Sequence, residues 1–147
     1  MSLKVNIAGV EFKNPVIAAS GTFGFGEEYQ DYLDLNKLGG ISSKGLTLKK
    51  NLGNPGIRIY ETPSGIMNSI GLQNPGVDHF IEYERVFMRN FDTVLIANLG
   101  GHSFDDYKIG ASKLDQADID MIELNISCPN LKEGGMAFGT DPKQARD

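Results

Sequence analysis

Apolar residues fall along the chain in short runs that alternate with amphipathic stretches. Leu3–Ile7 and Val10–Phe12, separated by Ala8-Gly9, predict a small hairpin. Val16-Ile17-Ala18-Ala19 predicts a short apolar strand that stops at Ser20-Gly21, and Glu27–Leu33 predicts a short helix. Gly40-Ile41-Ser42-Ser43 predicts a second strand, ending at Lys44. From Gly45 to Gly76 the density of Gly, Pro and Asn predicts a long loop. Val77, Phe80, Ile81, Phe87, Met88 and Phe91 recur at helical spacing, so Asp78–Asn90 is expected to be a helix. Thr93–Leu99 reads as a strand from its β-branched and apolar run, closed by Gly100-Gly101. Phe104–Leu114 then predicts a helix and Met121–Asn125 a fourth buried strand. Thr140-Asp141-Pro142 has the form of a helix start, an Asp or Thr cap with proline in the first turn.

Strands alternating with helices predict a parallel sheet with crossover helices. Four strand–helix units can be counted, the last ending as its helix begins. A complete (β/α)8 TIM barrel takes about 250 residues and rarely fewer than about 200. The 147 residues therefore match about the first four units of such a barrel, preceded by a β-hairpin. A small open α/β sheet, complete at this length, is the alternative. The long loop counts against it, because structureless loops of that size are usually functional.

Composition narrows the function classes. Hydrophobic residues make up 40% and charged ones 22%, which is ordinary for a globular chain and excludes disorder. Fourteen basic against nineteen acidic residues give a net charge of −5, the wrong balance for holding nucleic acid by its phosphates. No apolar run approaches the roughly 20 residues that span a bilayer, and the N-terminus lacks a signal peptide's apolar region. A cytoplasmic protein without membrane or nucleic-acid contacts is expected. The single cysteine rules out an intramolecular disulfide and an all-cysteine iron–sulfur or zinc site within these residues. No metal site is expected, and His79 and His102 are assigned no role. Eighteen glycines, about 12% where about 7% is usual, are the first specific sign.

In a parallel barrel the chemistry gathers at the carboxyl ends of the strands. Those ends here are Ser20-Gly21, Lys44-Gly45, Asn98, and Asn125 with Cys128. They read either as a polar site above a dry core or simply as strand ends that meet water. Gly21, Gly24 and Gly26 allow close approach of backbone to a flat or charged ligand, without matching the dinucleotide fingerprint. Lys44 offers a point charge suited to a carboxylate or an electron-rich ring. Asn68-Ser69-Ile70-Gly71-Leu72 either aims backbone N–H groups and an amide at a small polar ligand or forms an ordinary surface turn. Asn125-Ile126-Ser127-Cys128-Pro129-Asn130 carries the most chemistry per residue. Its amides can donate and accept at once toward an imide or pyrimidine edge. Its thiol is either a base or nucleophile, or a small buried hydrophobe.

The stretch from Ala18 to Gly26, the segments Glu61-Thr62-Pro63-Ser64-Gly65 and Asn68–Pro75, and the Asn-Ile-Ser-Cys-Pro-Asn box resemble the dihydroorotate dehydrogenase family over nearly the whole chain. The resemblance implies a flavin-binding (β/α)8 barrel, of which residues 1–147 form the N-terminal half of a single domain. It implies oxidation of (S)-dihydroorotate to orotate in pyrimidine biosynthesis. Ser20, Gly21, Lys44, Gly45, Asn98 and Asn125 would contact FMN. Lys44, Asn68, Ser69, Ile70, Gly71, Leu72, Asn125 and Asn130 would hold the substrate, and Cys128 would be the base. Cysteine rather than serine as base, with Leu131-Lys132-Glu133-Gly134-Gly135-Met136-Ala137-Phe138-Gly139 after the box, looks like the NAD-linked type. That type works with a subunit carrying FAD and a [2Fe–2S] cluster, as a homodimer within a heterotetramer. The FMN-phosphate loops of the family lie beyond Asp147. Two other readings stay open: a half-barrel without catalysis, and a flavin barrel like that of dihydropyrimidine dehydrogenase.

Overall fold

The computed structural model describes residues 2–127 and 136–146. The expected first hairpin is present as β1 (Val5–Ile7) and β2 (Val10–Phe12), turned by Ala8 and Gly9 at positive φ. β3 (Ile17–Ala18) follows. The crossover from β3 to β4 (Gly40–Ser42) is not the short α-helix that Glu27–Leu33 predicts. It is built from 3-10 turns at Glu27–Tyr29 and Leu35–Lys37. The reason lies in the glycine segment before it. Gly26 enters the turn at φ 93°, Phe23 stacks on Tyr29 with ring centroids 4.2 Å apart, and the Tyr29 hydroxyl donates to Thr22 O at 2.9 Å. These contacts fold the turn back on the segment before a second helical turn can form.

The stretch from Gly45 to Gly76 also departs from expectation. It contains an antiparallel hairpin, β5 (Ile59–Thr62) and β6 (Gly65–Asn68), closed at Pro63-Ser64. A helical run then spans residues 77–88. It comprises α1 (Val77–His79), a π turn (Phe80–Glu84) and α2 (Arg85–Met88), close to the predicted helix. β7 (Val94–Leu99), α3 (Phe104–Asp115) and β8 (Met121–Leu124) come next, near their expected bounds. α4 (Met136–Gly139) and α5 (Pro142–Arg146) close the described chain. Asp141 caps α5 as predicted, its Oδ1 accepting from Lys143 N at 2.9 Å with Pro142 in first position.

The sheet runs β3-β4-β7-β8, parallel throughout. This is the strand order of the first four units of a (β/α)8 barrel. Alternation along β7 divides two cores. Leu95, Ala97 and Leu99 pack outward with Val77, Phe80, Met88 and Leu114 of the helices. Val94 and Ile96 point inward and meet Phe12 of the amino-terminal hairpin. That hairpin caps the amino ends of the strands, and an alanine Cβ at Gly40 would lie 2.9 Å from the Phe12 ring. β8, expected to be buried, is half exposed, with Leu124 at 54%. It is the outer strand of the described sheet and has a neighbour on one side only. No helix among the described residues is long and apolar enough to cross a membrane.

Candidate functional site

The carboxyl ends of the parallel strands meet in a row of polar side chains. Asn98, on the inward face of β7, is 2% exposed. Its Nδ2 donates to Ser20 Oγ at 3.3 Å, and its Oδ1 accepts from Asn125 Nδ2 at 3.1 Å. Ser20, Asn98 and Asn125 thus connect the ends of β3, β7 and β8. The backbone fixes each member. Asn98 N donates to Ser43 Oγ at 3.1 Å and Asn98 O accepts from Leu46 N at 2.8 Å. Asn125 N donates to Leu99 O at 2.7 Å, and its carbonyl accepts the Tyr107 hydroxyl of α3 at 2.8 Å. The arrangement is a held line of alternating donors and acceptors, suited to the polar edge of a flat ring.

Gly45 lies against this row. A Cβ there would sit 2.9 Å from Leu72 Cδ1, 3.0 Å from Asn98 Oδ1 and 3.5 Å from Asn125 Nδ2. Leu72 reaches this position from the long loop with φ 54°, a left-handed conformation that costs a non-glycine residue about 1–2 kcal/mol. Asn74, 4% exposed, holds it there. The Asn74 Oδ1 accepts from Thr47 N and Gly76 N, each at 3.0 Å, while Nδ2 donates to Leu72 O at 2.8 Å. Asn51 and Asn74 also exchange both backbone hydrogen bonds at 3.0 Å. Asn74 is the residue that sequence reasoning passed over. Its only local signal is the Asn-Pro-Gly turn signature, which gives no hint of the tertiary bonds.

The expected site residues divide as follows. Ser20, Gly45, Leu72, Asn98 and Asn125 converge. Gly21 adjoins Ser20 at φ 82°, and Gly24 and Gly26 also hold positive φ. Lys44, half-buried, lines a cavity of about 430 Å³ with Ile70, Phe25, Asn74, His79 and Glu84. His79 Nδ1 stands 3.1 Å from the Glu84 carboxylate there. Gly71 packs on Asn54 beneath the loop. Asn68 and Ser69 lie on the exposed rim, and Ser69 is engaged away from the row, its Oγ accepting from Asn54 Nδ2 at 2.8 Å. Cys128 and Asn130 lie outside the described residues. Among the described residues no group of three His, Cys, Asp or Glu could hold a metal ion.

Comparison with known proteins agrees with this architecture. The family model for dihydroorotate dehydrogenase matches residues 2–147. The catalytic subunit of dihydroorotate dehydrogenase B (NAD(+)) from Petrotoga mobilis is 67% identical over 137 residues, covering 93% of this chain and 46% of the relative. The protein of the same name from a Thermoanaerobacter species is 54% identical over 143 residues, covering 97% and 47%. A crystal structure of DHODH from Eimeria tenella, in complex with ferulenol, superposes with a TM-score of 0.76 at 26% identity, covering 98% of this chain and 41% of that one. The chain spans about half the length of the curated relatives it matches. With the parallel sheet and the match along nearly the whole sequence, the chain belongs to the dihydroorotate dehydrogenase family.

Proposed function

We propose that the protein carries out FMN-dependent oxidation of (S)-dihydroorotate to orotate in pyrimidine biosynthesis, passing electrons to NAD+ through a partner subunit. The observation that carries this reading is the Ser20–Asn98–Asn125 row laid against Gly45 at the carboxyl ends of parallel strands. The residues present fit a flavin. The alternating donors and acceptors match an imide-like edge, and Gly45 leaves room that any Cβ would fill. Ser20, Gly21, Lys44, Gly45, Asn98 and Asn125 would hold FMN. Lys44, Asn68, Ser69, Ile70, Gly71, Leu72, Asn125 and Asn130 would hold the substrate.

When bound, FMN supplies the hydride acceptor for C6 of dihydroorotate. Cys128, as its thiolate, takes the proton from C5 onto Sγ and becomes the neutral thiol. The Lys44 ammonium offsets the substrate carboxylate. Paired amides select the ring, because a ring lacking the imide edge would leave them unpaired. Leu72, held in a strained conformation above Gly45, excludes water from one side of the floor.

Residues 1–147 contribute the N-terminal half of a single barrel domain in this reading, supported by the four strands and by the coverage of the relatives. The relatives' description as catalytic subunits supports a separate partner subunit, and by family resemblance that subunit carries FAD and a [2Fe–2S] cluster. By family resemblance the assembly is a homodimer within a cytoplasmic heterotetramer. The test is an absorbance spectrum of the protein purified at its natural length, before and after anaerobic addition of dihydroorotate. Flavin bands that bleach support the reading, and bands that persist overturn it. Cys128→Ala should abolish bleaching while orotate still binds.

A further inference from the structure

Beneath the polar row the inward face of the sheet is largely apolar, and Ser42 and Glu123 interrupt it. Ile7, Phe12, Ile17, Ile96 and Met121 line a cavity of about 440 Å³, and the charged side chain on its wall is Glu123 of β8. Glu123 is itself exposed, and the polar group that needs a partner here is the hydroxyl of the buried Ser42. The buried Ser42 hydroxyl of β4, 3% exposed, donates to Glu123 Oε2. β4 and β8 are not neighbours in the sheet, since β7 lies between them. They are alternate strands, and in a parallel barrel alternate strands supply the side chains of one interior layer. The bond therefore ties two strands across the face of a third.

The register pairs Glu123 with the inward-facing Asn98, and the period of two places the next inward position at Asn125. Ser20 of the polar row lines the same cavity from above. We propose that Glu123 is a positioning residue: with Ser42 it clamps β4 to β8 and sets where Asn125 stands relative to Asn98 and Gly45. The relevance to ligand binding rests on the function proposed above. The clamp itself rests on the hydrogen bond and on the strand register. Acceptance of the Ser42 proton needs a carbonyl oxygen rather than a charge, so glutamine serves as well as glutamate.

The test uses the natural-length protein and reads the side-chain amide signals of Asn98 and Asn125 by NMR, together with orotate affinity. Glu123→Ala should move both amide signals and weaken orotate binding about tenfold, the equivalent of one lost hydrogen bond. Glu123→Gln should restore both. Ser42→Ala should reproduce Glu123→Ala, and the double variant should be no worse than either single one. Leu114→Ala, a cavity on the helix side of the sheet, controls for lost stability and should leave the amide signals in place. Unmoved amide signals in Glu123→Ala, additive effects of the two truncations, or a Glu123→Gln as impaired as Glu123→Ala overturn the clamp. Failure of the unsubstituted protein to bind orotate overturns the proposed function instead, and the amide signals still decide the clamp.

Discussion

Asn98 and Asn125 face each other from adjacent parallel strands, with Asn125 Nδ2 donating to Asn98 Oδ1 at 3.1 Å. The register pairs Asn98 with Glu123, so Asn125 reaches back toward its partner from one pleat farther along β8. Asn98 is the hinge of the row, because its other amide end meets Ser20. Truncating it to alanine leaves both neighbours without that partner inside a largely buried site. Asn98→Ala is expected to lower folding stability by about 1–3 kcal/mol and FMN affinity by at least tenfold. Urea unfolding and a fluorescence titration with FMN check the two effects. Retained FMN affinity would show that the row does not contact the cofactor.

Gly45 makes a narrower prediction. An alanine Cβ would lie 2.9 Å from Leu72 Cδ1 and 3.0 Å from Asn98 Oδ1, so one or both must shift. Overpacking of this kind typically costs about 1–3 kcal/mol. Gly45→Ala should therefore weaken FMN binding more than Gly21→Ala, because nothing stands within 4 Å of a Cβ at Gly21. Positive φ makes Gly21→Ala a strain on the backbone alone. Equal affinities for the two variants would contradict the close approach assigned to Gly45.

How far the sequence foretold this site depends on which force shapes each part. β7 was legible because its apolar run faces two cores and its one inward amide comes at the carboxyl end. The β5–β6 hairpin was not. Ile59, Tyr60, Ile66 and Met67 are all exposed, so apolar residues appear on both faces and no period of two stands out between the Gly and Pro signals. The first crossover was misread as a helix because Glu27–Leu33 has acceptable propensities. The stacking of Tyr29 on Phe23 that shortens it is a contact no local pattern reports. Ser20, Lys44, Gly45, Asn98 and Asn125 could be picked out by their place at strand ends. That Ser20, Gly45, Asn98 and Asn125 join in one row while Lys44 lines a separate cavity is a matter of tertiary register, and so is the part played by Asn74.

Asn74 anchors the loop that brings Leu72 over Gly45. Its side chain satisfies the buried backbone N–H of Thr47 and of Gly76, and alanine would leave both without that acceptor. Asn74→Ala is expected to cost about 2–4 kcal/mol, toward the upper end for a single polar truncation. The loss should be concentrated locally. Amide hydrogen exchange ought to quicken across residues 69–76 and at Thr47 well before the sheet responds. Uniform acceleration throughout the sheet would mean that Asn74 supports the fold as a whole and not the loop.

Gly40 and Phe12 offer a test of the opposite end of the sheet. The Phe12 ring, fully buried, lies where a Cβ on Gly40 would come within 2.9 Å, and Val94 O stands 3.3 Å from the same point. Gly40→Ala should destabilise by about 1–3 kcal/mol through overpacking. Phe12→Leu should cost about 1–2 kcal/mol, less than truncation to alanine because most of the volume is kept. In the double variant the smaller side chain gives the new methyl group room, so the combined loss should fall short of the sum by about 0.5 kcal/mol or more. Denaturant midpoints of the four proteins complete the cycle. Strict additivity would falsify the contact. Because the strand ends that hold Lys44 and Asn98 lie at the other end of the same strands, flavin affinity should be unchanged in every member of the cycle that remains folded.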